Sequence, residues 1–181
     1  DKWGAALVSI GPGTGKILAM AQNTVFLPEP GKFDTQLNFN VDSKDAKGND
    51  LNGAGGFQPG STMKPFTLAE WLKEGKSLAE TVDASRRSYP LDFKWKSSCG
   101  KVLGAFNTKE RNRGAADDLQ NNDAGYYRKM RVDYGVYNSI NTATFAEAAQ
   151  LDFCGIQKTV DAVGLHSGLD NAQVNMHQLG N

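Results

Sequence analysis

One stretch, Gly55 to Gly75, leaves the chain little choice of local structure. Gly55, Gly56, Pro59 and Gly60 supply turn chemistry, and Ser61 is a good N-cap residue. Met63, Phe66, Ala69 and Leu72 then recur at helical spacing until Gly75 supplies a stop. The pattern predicts a loop that becomes a core helix at the serine, spanning about 61–74, with Met63, Phe66, Ala69 and Leu72 on its buried face. Pro65 falls in the first turn, where a missing N–H costs least.

Residues three apart share a helix face, so Lys64 is expected one turn above Ser61 with its amine in reach of the hydroxyl. A serine alcohol is a poor nucleophile until its proton is removed, and a lysine with its pKa lowered by burial can remove it. Backbone N–H groups at a helix start can also stabilise an oxyanion. Spacing alone does not carry this reading, because Ser98-Cys99-Gly100-Lys101 satisfies the same pattern without any helical periodicity around it. The plain alternative is a capping serine beside a solvated lysine.

The wider words decide between them. Pro59-Gly60-Ser61-Thr62-Met63-Lys64-Pro65-Phe66 resembles the active-site serine motif of penicillin-binding proteins, of the bifunctional class A high-molecular-weight type. Farther on, Ser139-Ile140-Asn141 matches the second motif of that family, Ser-x-Asn, and an alanine-rich helical stretch follows over Thr142 to Leu151. A hydroxyl between lysine and substrate can relay the nucleophile's proton to the departing amine, which makes Ser139 the candidate relay. The amide of Asn141 suits a substrate peptide group and the lysine. The alternative is that Ser139 and Asn141 only cap the next helix.

The third motif of the family, Lys-Thr-Gly or Lys-Ser-Gly, is absent. Lys158-Thr159-Val160 begins like it but has valine where glycine is required, and it falls on a predicted packing helix with Ile156, Val160 and Val163 on one face.

At the start of the chain, apolar runs over residues 3–10 and 16–20 flank Gly11-Pro12-Gly13-Thr14-Gly15 and read as a β-hairpin. The turn is not a phosphate loop, because only three residues separate Gly11 from Gly15 and Ile17 follows Lys16. It resembles the first hairpin of the transpeptidase sheet. Residues 21–54 read as a polar, solvated surface connection, with a wall of the cleft as the alternative and 37–41 as a short ordered piece. Lys76 to Leu91 is mixed, and Phe93 to Phe106 shows short alternation. Asn107 to Arg131 is polar and reads as exposed loop or short helices rather than sheet.

The 181 residues suit one domain, and 20 basic against 20 acidic side chains leave no net charge to favour nucleic acid or an anionic surface. Cys99 and Cys154 lack metal or redox spacing, so they are either two buried thiols or a disulfide. His166 and His177 are too isolated to indicate a metal site.

The resemblance implies an α+β fold, a mostly antiparallel sheet packed with helices plus a helical lobe over about 132–165. Residues 1–181 would be the N-terminal part of that domain, needing a C-terminal segment that brings the Lys-Thr/Ser-Gly strand. It further implies a D,D-transpeptidase that acylates Ser61 with a peptidoglycan stem peptide ending in D-alanyl-D-alanine and that reacts with β-lactams. No cofactor or metal is implied. The expected setting is extracytoplasmic, with membrane anchoring through a segment outside this sequence. Two other readings stand beside it: a serine β-lactamase, although no Glu-x-x-Leu-Asn motif is present, and a β-lactam sensor that acylates without turnover.

Overall fold

The computed structural model describes residues 4–25, 27, 29, 31, 34–57, 59–89, 93–99 and 119–166. These fall into two compact units, one reaching to Phe57 with His166 added, the other running from 59 to 165. The architecture is α+β, with two small antiparallel sheets and four α-helices among the described residues.

In the first unit, β1 (Ala6–Ile10) and β2 (Ile17–Gln22) form the hairpin, pairing Val8 with Met20 and shifting register between Ser9 and Ile10. Gly13 and Gly15 adopt left-handed backbone in the turn, at φ 73° and 67°, where a side chain would be strained. Leu7, Ile10, Ile17 and Leu18 are all more than half exposed. The polar segment after β2 is folded back by side-chain bonds. Gln22 accepts from the Phe39 N–H and donates to the Leu37 carbonyl, and Asn40 donates to the Ala21 carbonyl. Asn38 bridges to Gly53, where a Cβ would lie 1.9 Å from the Asp42 carbonyl oxygen. His166 meets Asp42 at 2.7 Å; His177 lies outside the described residues.

The second unit is built around α3 (Asn141–Ala148), buried from Thr142 through Ala148 because its side chains are small or apolar almost throughout. α1 (Lys64–Lys73), α2 (Val132–Tyr137) and β3 (Thr81–Asp83) pack on it, and α4 (Phe153–Ala162) packs on α1. Met63, Trp71, Val82, Val132, Ile140, Leu151, Ile156 and Val160 form the main core. Tyr89, Leu119 and Phe145 form a second cluster, with Phe93 and Trp95 against it. α1 and α4 meet where Glu70 lies over Gly155, its carboxylate held by Lys73 at 3.0 Å and by the Thr159 hydroxyl at 3.0 Å.

Cys99 and Cys154 form a disulfide with Cα atoms 5.9 Å apart, which closes the alternative the sequence left open. Asp152, the N-cap of α4, accepts through one oxygen from the N–H groups of both Ser98 and Cys154, each at 3.0 Å. The Phe153 N–H adds a backbone bond to the Lys96 carbonyl.

Four local expectations are corrected. The α-helix does not start at Ser61: a 3-10 turn, Gly60–Met63, precedes it, and no side chain caps either start. Left-handed Gly60 winds the entry tightly, so the Lys64 N–H bonds back to the Ser61 carbonyl in the 3-10 pattern. The buried face of α1 runs through Lys64, Thr67, Glu70 and Trp71, while Leu72 is 47% exposed, because the side facing α3 and α4 carries polar groups. Lys129–Arg131, expected outside any sheet, is the strand β4 and pairs with β3. Each of these strands buries a single residue, Val82 and Met130, too little for alternation to register. Val163 lies past the end of α4 and is 64% exposed. The stretch 100–118, covering much of the expected polar loop, lies outside the described residues.

Candidate active site

Three elements of the second unit carry the candidate residues, and among these the structure bonds Lys64 to Ser139 but not to Ser61. The 3-10 turn holds Ser61 exposed at the surface, and α1 then carries Lys64 inward until it is only 6% exposed. Ser139 sits in the tight link between α2 and α3, closed by N–H bonds from Ser139 to the Val136 carbonyl and from Ile140 to the Gly135 carbonyl. Its φ is 51°, in the left-handed region where a serine is strained.

The Lys64 amine donates to both oxygens of this residue, the Ser139 carbonyl and, at 2.9 Å, the Ser139 hydroxyl. Lys64 and Ser139 are thus joined across 75 residues of sequence. Asn141 is placed at the first turn of α3 but is turned elsewhere, its amide donating to the Gln120 carbonyl at 2.6 Å rather than to Lys64. Neither Ser139 nor Asn141 caps α3, whose N-cap is Ile140 with no side-chain bond. Ser98 belongs instead to the disulfide corner beside α4. Lys158-Thr159-Val160 lies within α4, where Thr159 binds Glu70.

Glu147 was not found by sequence reasoning. It is 1% exposed in the last turn of α3, and its Oε1 has no hydrogen-bond partner. Burial lowers the Lys64 pKa to about 8, with Glu147 pulling the other way. Burial likewise raises the Glu147 pKa to about 8, opposed by Lys64. Each group, stripped of water, disfavours its own charge and favours the other's. The available signal was a lone acid inside the run of small and apolar residues Ala143 to Ala149. Gly135 was missed too: a Cβ there would lie 2.8 Å from the Ala143 Cβ, so its bare backbone lets α2 approach α3 and sets the Ser139 link in place.

A buried lysine bonded to a serine, one turn after an exposed serine, is an arrangement that can move protons at a carbonyl centre. The family model described as penicillin binding protein transpeptidase domain matches residues 5–98, just over half of the 181. The chain belongs to this family. The matched residues of the transpeptidase domain include the hairpin, Ser61 and Lys64, and stop before Ser139. Compared with curated proteins and with solved structures, the chain has no match.

Proposed function

We propose that this transpeptidase domain is a D,D-transpeptidase of cell-wall synthesis that works through an acyl-enzyme on Ser61. The observation that carries the reading is the bond from the Lys64 amine to the Ser139 hydroxyl, 2.9 Å, with Ser61 one turn ahead of Lys64. A neutral lysine amine has two N–H donors and one lone pair. With both donors spent on Ser139, the lone pair is left for the proton of Ser61.

Ser61 Oγ attacks the carbonyl of the penultimate D-alanine while Lys64 takes the hydroxyl proton. As the tetrahedral centre collapses, the peptide C–N bond breaks, and the proton reaches the departing D-alanine nitrogen through the Ser139 hydroxyl. An acceptor amine then attacks the ester, and a β-lactam carbonyl enters the same sequence at its first step. Asn141 donates one amide N–H to the Gln120 carbonyl, and its amide oxygen and second N–H are the groups offered to the substrate peptide in this reading. No step needs a metal or organic cofactor.

The half-exposed apolar side chains of β1 and β2 support a further segment of the domain, carrying the Lys-Thr/Ser-Gly strand, as the cover of this sheet. The disulfide supports an extracytoplasmic setting.

The deciding experiment is covalent labelling of the full protein by a fluorescent penicillin. Ser61→Ala is expected to abolish labelling and Ser98→Ala to keep it; label retained by Ser61→Ala overturns the assignment. D-alanine release and transfer to an acceptor amine separate a transpeptidase from a sensor that only acylates.

A further inference from the structure

The two sides of α2 meet different surroundings. Val132 and Gly135 are buried, and Gly135 seats the helix against Ala143 of α3. Tyr134 and Tyr137, three apart, share the outer face. Tyr137 is 89% exposed, and no large hydrophobic side chain among the described residues is more so. It stands two residues before Ser139, so its Cα lies within about 7 Å of the candidate relay. The link between α2 and Ser139 is tight, with the backbone N–H and the side-chain amide of Asn138 both donating to the Tyr134 carbonyl, at 3.1 and 2.9 Å.

The other end of this face is built from an aromatic pair and a cation. Tyr126 meets the Tyr134 ring edge-on at 6.3 Å, and the Arg128 guanidinium lies over the same ring, 5.2 Å from its centre. Arg128 spends one of its N–H donors on the Lys129 carbonyl at 3.3 Å. Asp133, at the start of α2, has both oxygens on Arg131. Among the described residues Arg128 therefore has no carboxylate partner.

We propose that this face, from Tyr137 past Tyr134 to Arg128, binds the donor peptide upstream of the scissile bond, and that Arg128 selects donors carrying a free carboxylate there. The role rests on the reading of Ser61 as the nucleophile of a D,D-transpeptidase. Such a donor ends one residue beyond the bond that breaks, so only the chain on the other side is long enough to follow the face. A peptide extends about 3.3–3.6 Å per residue, and roughly three to five extended residues span the way from Ser139 to Arg128. The exposed rings offer flat apolar contact to a passing chain. A guanidinium stacked on an aromatic is pre-organised for the two oxygens of a carboxylate, and a cation without an anion calls for an acidic chain rather than a neutral one.

The test compares two synthetic donors on the full protein, both ending in D-alanyl-D-alanine. One carries a free carboxylate three to five residues upstream, and the other carries a carboxamide in its place. The wild type is expected to favour the carboxylate donor about fivefold in kcat/KM, the worth of one exposed ion pair, and equal values overturn the proposal without recourse to any variant. Arg128→Gln is expected to bring the ratio to about one; a ratio that persists overturns the role of Arg128. Tyr137→Ala is expected to raise KM for both donors roughly fivefold with kcat kept, and Tyr137→Phe to restore it. A ring covered by another part of the domain would instead lower the melting temperature in Tyr137→Ala and leave KM unmoved, which overturns the proposal.

Ser61→Ala separates this role from the reading beneath it. If that variant still turns the donors over, the nucleophile assignment falls and the binding face with it. If it is inactive while the wild type treats the two donors alike, only the binding face falls.

Discussion

Lys64 reaches across to Ser139 and binds both its hydroxyl and its carbonyl, so a residue in strained left-handed backbone is held at two points by one amine. The strain and the hydroxyl can be separated by substitution. Ser139→Gly removes both, and Ser139→Ala removes only the hydroxyl.

We expect both Ser139 variants to slow Ser61 acylation by about 10²–10⁴-fold, the usual range for lost proton-transfer help. Their stabilities differ, because alanine at φ 51° keeps the steric cost that glycine lacks. Urea unfolding should place Ser139→Gly about 1 kcal/mol above Ser139→Ala. Equal stabilities would show that the link is not strained at this residue.

The pH dependence of stability follows from the two buried groups. Glu147 is raised from 4.5 to about 8, so between those values the folded state holds a proton that the unfolded state has lost, and stability falls as pH rises. Lys64 is lowered from 10.5 to about 8, so between 8 and 10.5 the unfolded state holds the extra proton, and stability rises with pH. Together they place a minimum near pH 8, with limiting slopes of about 1.4 kcal/mol per pH unit from each group. Glu147→Gln should flatten the acidic side and Lys64→Met the alkaline side in denaturant titrations. A wild-type curve without a dip would contradict this.

Gly155→Ala tests the contact of α1 with α4. The new Cβ would lie 2.0 Å from the Glu70 Oε1 and 2.6 Å from its Cδ. Glu70 cannot swing aside cheaply, since it is 7% exposed and held by Lys73 and Thr159. A loss of about 1–3 kcal/mol is expected by thermal or urea unfolding, as for other overpacked sites. Pairing it with Glu70→Ala should return part of that loss.

Removing the bridge with Cys99→Ser and Cys154→Ser should cost about 2–4 kcal/mol, since the bond closes a span of 55 residues. Thiol titration of the unfolded, unreduced protein should find no reactive thiol. Two reactive thiols would rule the bridge out.

The sequence carried the elements with strong local signals. The hairpin could be read from two apolar runs around glycines, and α3 and α4 from small or periodic residues followed by Gly164. It misled where burial served polar groups. The apolar spacing of α1 pointed to Leu72, but the face turned inward is the one that carries Lys64, Thr67 and Glu70. Three-residue strands such as β3 and β4 are set by the partner across the sheet and leave no period to read. Ser61, Lys64 and Ser139 were legible as words. The contact between Lys64 and Ser139 and the burial of Glu147 are products of how α1, α2 and α3 pack, which no local window contains.

The carboxylate of Asp152 has a consequence for the chemistry of the bridge beside it. Because one oxygen holds the N–H groups of Ser98 and Cys154 at once, the backbone on either side of the two sulfurs is aligned by a bond that does not depend on them. The thiols of the reduced protein are therefore kept at a high effective concentration. An attacking thiolate that opens the bridge leaves its displaced partner beside the mixed disulfide, where it can attack in turn, expelling the incoming thiol as it re-forms the bridge. Built this way, the corner at α4 favours expulsion of a single attacking thiol from the mixed disulfide over loss of the bridge, as long as the helix cap stays intact.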